Sequence, residues 1–333
     1  MSQGTLRMPA EWAPHEQTLI AWPSREDAWR GVGIAEAKDC YSRVVDAVSQ
    51  FEPVMLVVNP GDEDEARRIC PESNVEVVAL PIDDSWMRDS GPIIVADDDG
   101  HRVGVDFAFN AWGEKFEPFE NDAAVSRLLL DRLDISRVES GLVLEGGSIT
   151  VDGEGMLITT EQCNRNPNRN PGSTAGELET AFGELLGIDQ TIWLEQGLVE
   201  DADTDGHVDN ICAFLAPGLV LLQTAAVDDP NHEPMQRNLS ILTESGLAVE
   251  QIELLPRTIR PEDGEAIVVP YTNFYLCNGA AIVPVAGLDP DMDAEALSVL
   301  SRLLPGREVI GVEALALAFG GGGIHCITQQ VPT

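Results

Sequence analysis

The 333 residues include 57 acidic and 20 basic side chains, a formal net charge of −37, in a composition that is 44% hydrophobic. That hydrophobic fraction excludes a disordered chain, and so strong a negative field excludes nucleic acid and anionic membrane as partners while drawing in cations. The acids are scattered along the chain and the lysines are Lys38 and Lys115 alone, the surface of a protein from a salt-accumulating interior, where screening makes self-repulsion tolerable.

Cys40, Cys70, Cys163, Cys212, Cys277 and Cys326 form no Cys-x-x-Cys pair, so they read as reduced thiols of a cytoplasmic protein. No basic-then-apolar leader opens the sequence and no apolar run is long enough to span a bilayer. The triplet Asn238-Leu239-Ser240 therefore reads as a chance match to a glycosylation acceptor. No Ser/Gly/Pro-rich linker divides the chain, which predicts one domain over 1–333; self-association into a homo-oligomer stays open.

In chain order, Thr18–Pro23 predicts a strand entering the core, and the spacing of Tyr41, Val44, Val45 and Val48 predicts a helix over Ile34–Phe51. Val54–Val58 is a buried strand ended by Asn59-Pro60-Gly61, Asp62–Cys70 a short helix, and Val75–Leu80 the next strand. A unit then recurs in which polar residues and glycine precede an apolar strand. It appears at Asp89-Ser90-Gly91, Glu145-Gly146-Gly147, Asp205-Gly206-His207, Asn278-Gly279 and Gly323-Ile324-His325-Cys326. Helical stretches are expected at Asn121–Leu133, Thr174–Leu186, Glu233–Ser245 and Asp293–Leu303. Five such starts at irregular spacing suggest a weak internal repeat, a ring of α/β units whose glycine-bearing strand ends meet at one centre.

The candidate chemistry sits on those starts. Four glycines, Gly320 to Gly323, remove side chains just before Cys326, so a ligand can approach closely and the thiol is expected to be accessible. His207 and Asp209 are two apart in a stretch expected to be a strand over Val208–Leu215, which would aim both to one side. Glu145 follows apolar residues, where a carboxylate is expensive unless paired. Asp83, Asp84 and Asp89 surround Trp86 and Arg88. One Cys, one His and several carboxylates at repeated strand starts describe a pocket for a planar cation, and guanidinium fits best because carboxylates grip its N–H fork. Zinc is the weaker use of these residues, since only His325 and Cys326 are adjacent, and a serine hydrolase lacks its Gly-x-Ser-x-Gly motif.

The motifs Asp84–Pro92, Glu145–Ser148, Asp205–Asp209 and Gly321–Gln330 occur in order with Met8–Trp12, Phe109–Gly113 and Asn166–Pro171. Together they resemble the agmatine deiminases of the guanidine-modifying superfamily, nearly end to end. The resemblance implies a five-bladed α/β propeller of ββαβ units (the pentein fold). It also implies hydrolysis of agmatine to N-carbamoylputrescine and ammonia without metal or organic cofactor. Carried over, it makes Cys326 the nucleophile, His207 the general acid/base, Asp89 and Asp209 the guanidinium carboxylates, and Glu145 the acid that orients His207. Trp86, Gly322 and Gly323 would bind substrate, with Asp203 at the far amine and Asp201 as its alternative. Gly323 stands where the family often has Asn, and Ile93-Ile94 where a Thr is common. Arginine or peptidyl arginine as substrate, or a non-catalytic polyamine-binding protein on the same fold, are the alternatives. Arg88 is the only basic residue within the motifs near the acids, so a substrate bearing a carboxylate would lack a partner.

Overall fold

The computed structural model describes residues 6–29 and 31–333. Its two ends meet in one sheet. Thr328–Pro332 pairs antiparallel with His15–Ala21, which runs parallel to Val54–Val58, with Val75–Ala79 parallel beyond it. Four further sheets, built from Ile93–Ala96, Ile149–Val151, Cys212–Ala216 and Tyr275–Cys277 onward, repeat one pattern. An antiparallel hairpin leads through a helix to a third, parallel strand: Ser136–Val143, Gln190–Leu194, Ala248–Ile252 and Glu308–Glu313 respectively. Parallel partners need such a crossover, because a tight turn reverses the chain. Among the described residues, a two-stranded ribbon of Arg257–Ile259 and Ala266–Val268 completes the strands. The architecture is mixed α/β in several small sheets.

The crossover helices form where the sequence predicted them. Ile34–Ser49 buries Ala37, Cys40, Tyr41, Val44, Val45 and Val48 along one stripe against its sheet. Ala175–Leu186 opens on a capping box between Thr174 and Glu177 and closes on left-handed Gly187. Pro290–Leu303 starts with Pro at its first position behind the Asp289 cap. Asp122–Leu133 and His232–Glu244 supply the remaining two long crossovers. No described helix is long and apolar enough to cross a membrane. Asn238 is fully buried, accepting from the Glu195 N–H and donating to the Gln196 carbonyl, so its side chain is occupied inside the fold.

Two local expectations are corrected. The strand expected from Val208 begins only at Cys212, because Val208–Asn210 closes a 3-10 turn. The region around Cys326 is likewise a helical turn, Ile324–Ile327, and the strand starts at Thr328. The two turns bring their polar side chains together, Asp209 of the first meeting His325 and Cys326 of the second.

Candidate active site

Three of the repeated starts converge on Gly147. A Cβ there would stand 2.6 Å from His207 Nδ1 and 2.9 Å from carboxylate oxygens of both Asp209 and Asp89. No side chain fits in that space, which is the physical reason for glycine. The Gly147 N–H donates to Asp89 Oδ1 at 2.9 Å, and Trp112 Nε1 donates to Asp89 Oδ2 at 2.9 Å. Asp89 is thus held by both oxygens at the end of the short helix Met87–Ser90. Burial raises its pKa, with Asp209 and Glu145 adding to the rise against the pull of His207.

Trp112 reaches Asp89 through an unusual backbone. Ala111, Trp112, Gly113 and Glu114 all have positive φ, a conformation that costs a non-glycine residue about 1–3 kcal/mol. The Asn110 side chain accepts from the Gly113 N–H and donates to the Asn168 carbonyl, which fixes the turn. His207 is presented in a similar way: Asp205 and Gly206 have φ of 61° and 83°. Asp201 gathers this loop, accepting from the Thr204 hydroxyl, the His207 N–H and the Asn210 amide. With its oxygens so occupied, Asp201 serves the loop, whereas Asp203 is one of the acids that line the pocket.

Glu145 is completely buried and is paired, as its apolar surroundings require. Arg169 Nε donates to Glu145 Oε1 at 2.6 Å, while its other nitrogens reach Asp205 Oδ2 and the Thr204 carbonyl. His207 Nε2 lies 3.7 Å from Glu145 Oε2 and Nδ1 lies 3.9 Å from Asp89 Oδ1. Among the described residues neither ring nitrogen has a hydrogen-bond partner, nor has Asp209 Oδ1. Burial alone would depress the His207 pKa, but Asp89, Cys163 and Glu145 outweigh it and hold the imidazole well above its ordinary range. Glu145, Cys163 and His207 each bring a ligand atom within 4.8 Å of the others. The Arg169 guanidinium already compensates the Glu145 charge, and burial raises the Cys163 pKa, which keeps it a neutral thiol.

Cys326 is 5% exposed, which corrects the expectation of an accessible thiol: it is reached only through a pocket. Its sulfur lies 3.3 Å from Asn273 Nδ2 and 3.5 Å from Asp209 Oδ2. Burial, then Asp209 and Asp89, push the thiol well above its ordinary pKa. The glycine run has a different use from the one its bareness suggested. A Cβ on Gly322 would meet the Trp86 ring at 2.4 Å, and one on Gly323 would meet Asn273 Oδ1 at 2.3 Å. These two glycines make room for Trp86, which lines the pocket together with Gly320 and Gly321, and for Asn273 beside the thiol.

The pocket narrows from a charged mouth to Cys326 and Asp89, between Trp86 and Trp112. Its mouth holds two arginines that sequence motifs did not reveal, Arg25 and Arg260, while Arg88 is buried, bonded to Glu11 and Gln330. Arg25 pairs with Asp27 and Arg260 with Asp263 and Glu265, so both are already neutralised. Asn273, Trp112 and Arg169 have roles at the site that sequence reading missed. Trp112 and Arg169 lie within motifs noted only for their order, and Asn273 lies in none.

Comparison with known proteins agrees over the whole length. The family of Porphyromonas-type peptidyl-arginine deiminases matches residues 7–332. An agmatine deiminase of Pseudomonas aeruginosa is 42% identical over 355 residues, covering 98% of this chain and 95% of that one. An agmatine deiminase of Medicago truncatula is 40% identical over 361 residues, covering 98% and 96%. The solved structure of the agmatine deiminase of Enterococcus faecalis superposes with a TM-score of 0.92 at 30% identity, covering 100% of this chain and 99% of that one. With its full length matched in sequence and structure, this chain belongs to the Porphyromonas-type peptidyl-arginine deiminase family.

Proposed function

We propose that this chain is a hydrolase that converts agmatine to N-carbamoylputrescine and ammonia through a thiouronium on Cys326. The carrying observation is a set of buried atoms that have no partner among the described residues: both His207 ring nitrogens, beside Asp89, and Oδ1 of Asp209, whose other oxygen touches the Cys326 sulfur. A guanidinium between Asp89 and Asp209 supplies the N–H donors a carboxylate needs, and places its carbon beside the sulfur. The bound cation also offsets the two carboxylates that oppose ionisation of the thiol. The Cys326 thiolate attacks the guanidinium carbon, and His207, held protonated, gives its proton to the departing nitrogen. Ammonia leaves from the tetrahedral adduct. Neutral His207 then takes a proton from water, whose oxygen adds to the thiouronium carbon; the adduct collapses with its hydroxyl proton passing to the departing sulfur, which releases the urea and the thiol. Nucleophile, acid and water suffice, so the reaction requires neither metal nor organic cofactor.

Agmatine is favoured over arginine because the mouth has excess acid: Asp27, Asp84, Asp203 and Glu265 against Arg25 and Arg260. Trp86 flanks the alkyl chain and Asp203 receives the far amine. The five repeated sheets support a five-bladed propeller in a single domain over 1–333, with the site where the blades meet. Six free, buried cysteines fit a reducing, cytoplasmic compartment. Ammonia release from agmatine, arginine and an arginyl peptide, measured for wild type and Cys326→Ser, tests the reading. Only agmatine should react efficiently, and only with the thiol present. Undiminished turnover by a folded Cys326→Ser would remove Cys326 from the mechanism.

A further inference from the structure

His325 precedes the nucleophile and lies between two acids from distant parts of the chain. Its Nδ1 is 2.9 Å from Asp209 Oδ2 and its Nε2 is 2.8 Å from Glu11 Oε2. The side chains are 12%, 3% and 18% exposed for His325, Asp209 and Glu11, so water screens the contacts little. An ionised carboxylate only accepts hydrogen bonds, and neutral imidazole has one N–H. Two such contacts therefore require either an imidazolium or a protonated acid. The surroundings favour the imidazolium. Glu11 also accepts the Leu276 N–H at 2.8 Å and faces Arg88 at 3.2 Å. Despite burial, His325 and then Arg88 hold its carboxyl down at about 2. Asp209 is likewise held below its ordinary pKa, its burial outweighed chiefly by His325 and then His207.

We propose that His325 is a positioning residue: a doubly protonated imidazolium, clamped by Glu11, that fixes Asp209 through Oδ2 and leaves Oδ1 for the substrate guanidinium. The proposal rests on the deiminase reading for its substrate, but its charge state belongs to the resting protein. Charged groups facing the ring are Glu11 and Asp209, with Arg88 bonded to the His325 carbonyl. Burial and Arg88 oppose its charge, and the two carboxylates prevail.

The positive ring has a second effect. Asp209 Oδ2 touches both His325 and the Cys326 sulfur, so the imidazolium partly cancels the charge that raises the thiol pKa. Neutralising it should therefore weaken the nucleophile more than it weakens binding of a cation, which the ring itself repels. The expected signature is a kcat reduced on the order of 100-fold, by misplacement of Asp209 and a scarcer thiolate, with KM changed little.

The test uses two variants and two readouts that need no agmatine. Nitrogen-15 NMR of labelled histidines, with the His325 signals assigned by their loss in His325→Gln, counts ring N–H groups at pH 7. Two are expected in wild type; a single N–H overturns the proposal. Glu11→Gln is the near-isosteric probe, because it removes the carboxylate charge that faces the ring while its amide oxygen can still accept from Leu276; the Arg88 contact on the other atom is lost with it. In that variant one N–H is expected, and the pH profile of Cys326 alkylation should move up by about one unit. An unmoved profile beside a neutralised ring overturns the coupling, even if His325→Gln fails to fold. Absence of ammonia release by wild type would instead count against the deiminase reading and leave the ring measurement to stand by itself.

Discussion

The sulfur of Cys326 lies 3.5 Å from Asp209 Oδ2, so the nucleophile rests against a charge that opposes its ionisation. In the proposed reaction the same carboxylate binds the substrate cation, and this makes ionisation depend on substrate. Thiolate absorbance should therefore rise at neutral pH when a hydrolysis-resistant alkylamidine is added, with the Cys326 transition moving down by about 1–3 units. Burial pushes Cys40 up to about 11, and Cys70 and Cys277 to about 12, so these should stay silent. Identical titrations with and without the ligand would remove substrate-assisted ionisation.

Asn273 donates to the sulfur at 3.3 Å, and its own oxygen accepts the His325 N–H at 3.0 Å. Asn273→Ala removes a charge-assisted hydrogen bond to the thiolate, a loss of roughly 10- to 100-fold in kcat/KM. Gly323→Ala should imitate it, since the new Cβ would stand 2.3 Å from Asn273 Oδ1. Normal steady-state kinetics in both variants would show that Asn273 is only a packing group.

How far the sequence reached can be judged from these residues. Most hairpin strands and the crossover helices were legible because their apolar spacing is strong, as at Tyr41, Val44 and Val48, whereas Arg102–Ala108 and Tyr275–Cys277 were not legible. The third strands were not, because half-exposed segments such as Ser136–Val143 mix polar and apolar residues without a clean period. His207 and Asp209 do reach one space, but a 3-10 turn and left-handed Asp205 and Gly206 bring them there, in place of strand alternation. Asn273, Arg25 and Arg260 carry no local signal; only the folded chain sets them at the pocket.

Arg169 joins Glu145 to the loop that carries His207. Both its side chain and that of Glu145 are 0% exposed, so removing one partner leaves a buried charge uncompensated, at a cost of about 3–5 kcal/mol. Arg169→Met should lower the melting temperature by several degrees and reduce turnover together. Arg169→Lys should rescue only part, because an ammonium cannot reproduce the separate contacts to Glu145, Asp205 and Thr204. A thermal midpoint unchanged in Arg169→Met would contradict the role.

Substrate choice rests on the pocket mouth. Asp203 lines it, and its carboxylate comes within 2.9 Å of where a Gly321 Cβ would stand. Asp203→Asn should raise KM for agmatine roughly tenfold while kcat changes little, since the amine is remote from the reacting carbon. Equal kcat/KM for agmatine and arginine in wild type would defeat the preference itself, and an unchanged KM in Asp203→Asn only the residue assigned to it.

Stability should fall as pH rises from mild acid and as salt is withdrawn. Burial raises Asp84 to about 6 and Asp122 to about 8, and nearby acids add to both. A folded-state pKa above the unfolded one means that the folded protein binds more protons. The stability these groups contribute is full below the ordinary carboxylate range, near 4, and is lost as pH climbs to about 6 and 8. Glu11, held down at about 2, acts oppositely, but its contribution is lost only below the ordinary range, outside this window. Net charge pushes the same way, since each proton bound reduces −37, and the repulsion reaches about 30 Å at 0.01 M salt against roughly 3 Å at 1 M. Melting temperatures at pH 5.5 and 8.5 should therefore differ most in dilute buffer and less in molar KCl, which screens the net-charge part but not the part due to burial. Asp84→Asn should flatten the lower part of the profile, because it removes the group that titrates near 6. A midpoint that is flat in both salt and pH would show that the carboxylates neither crowd the folded state nor gain protons in it.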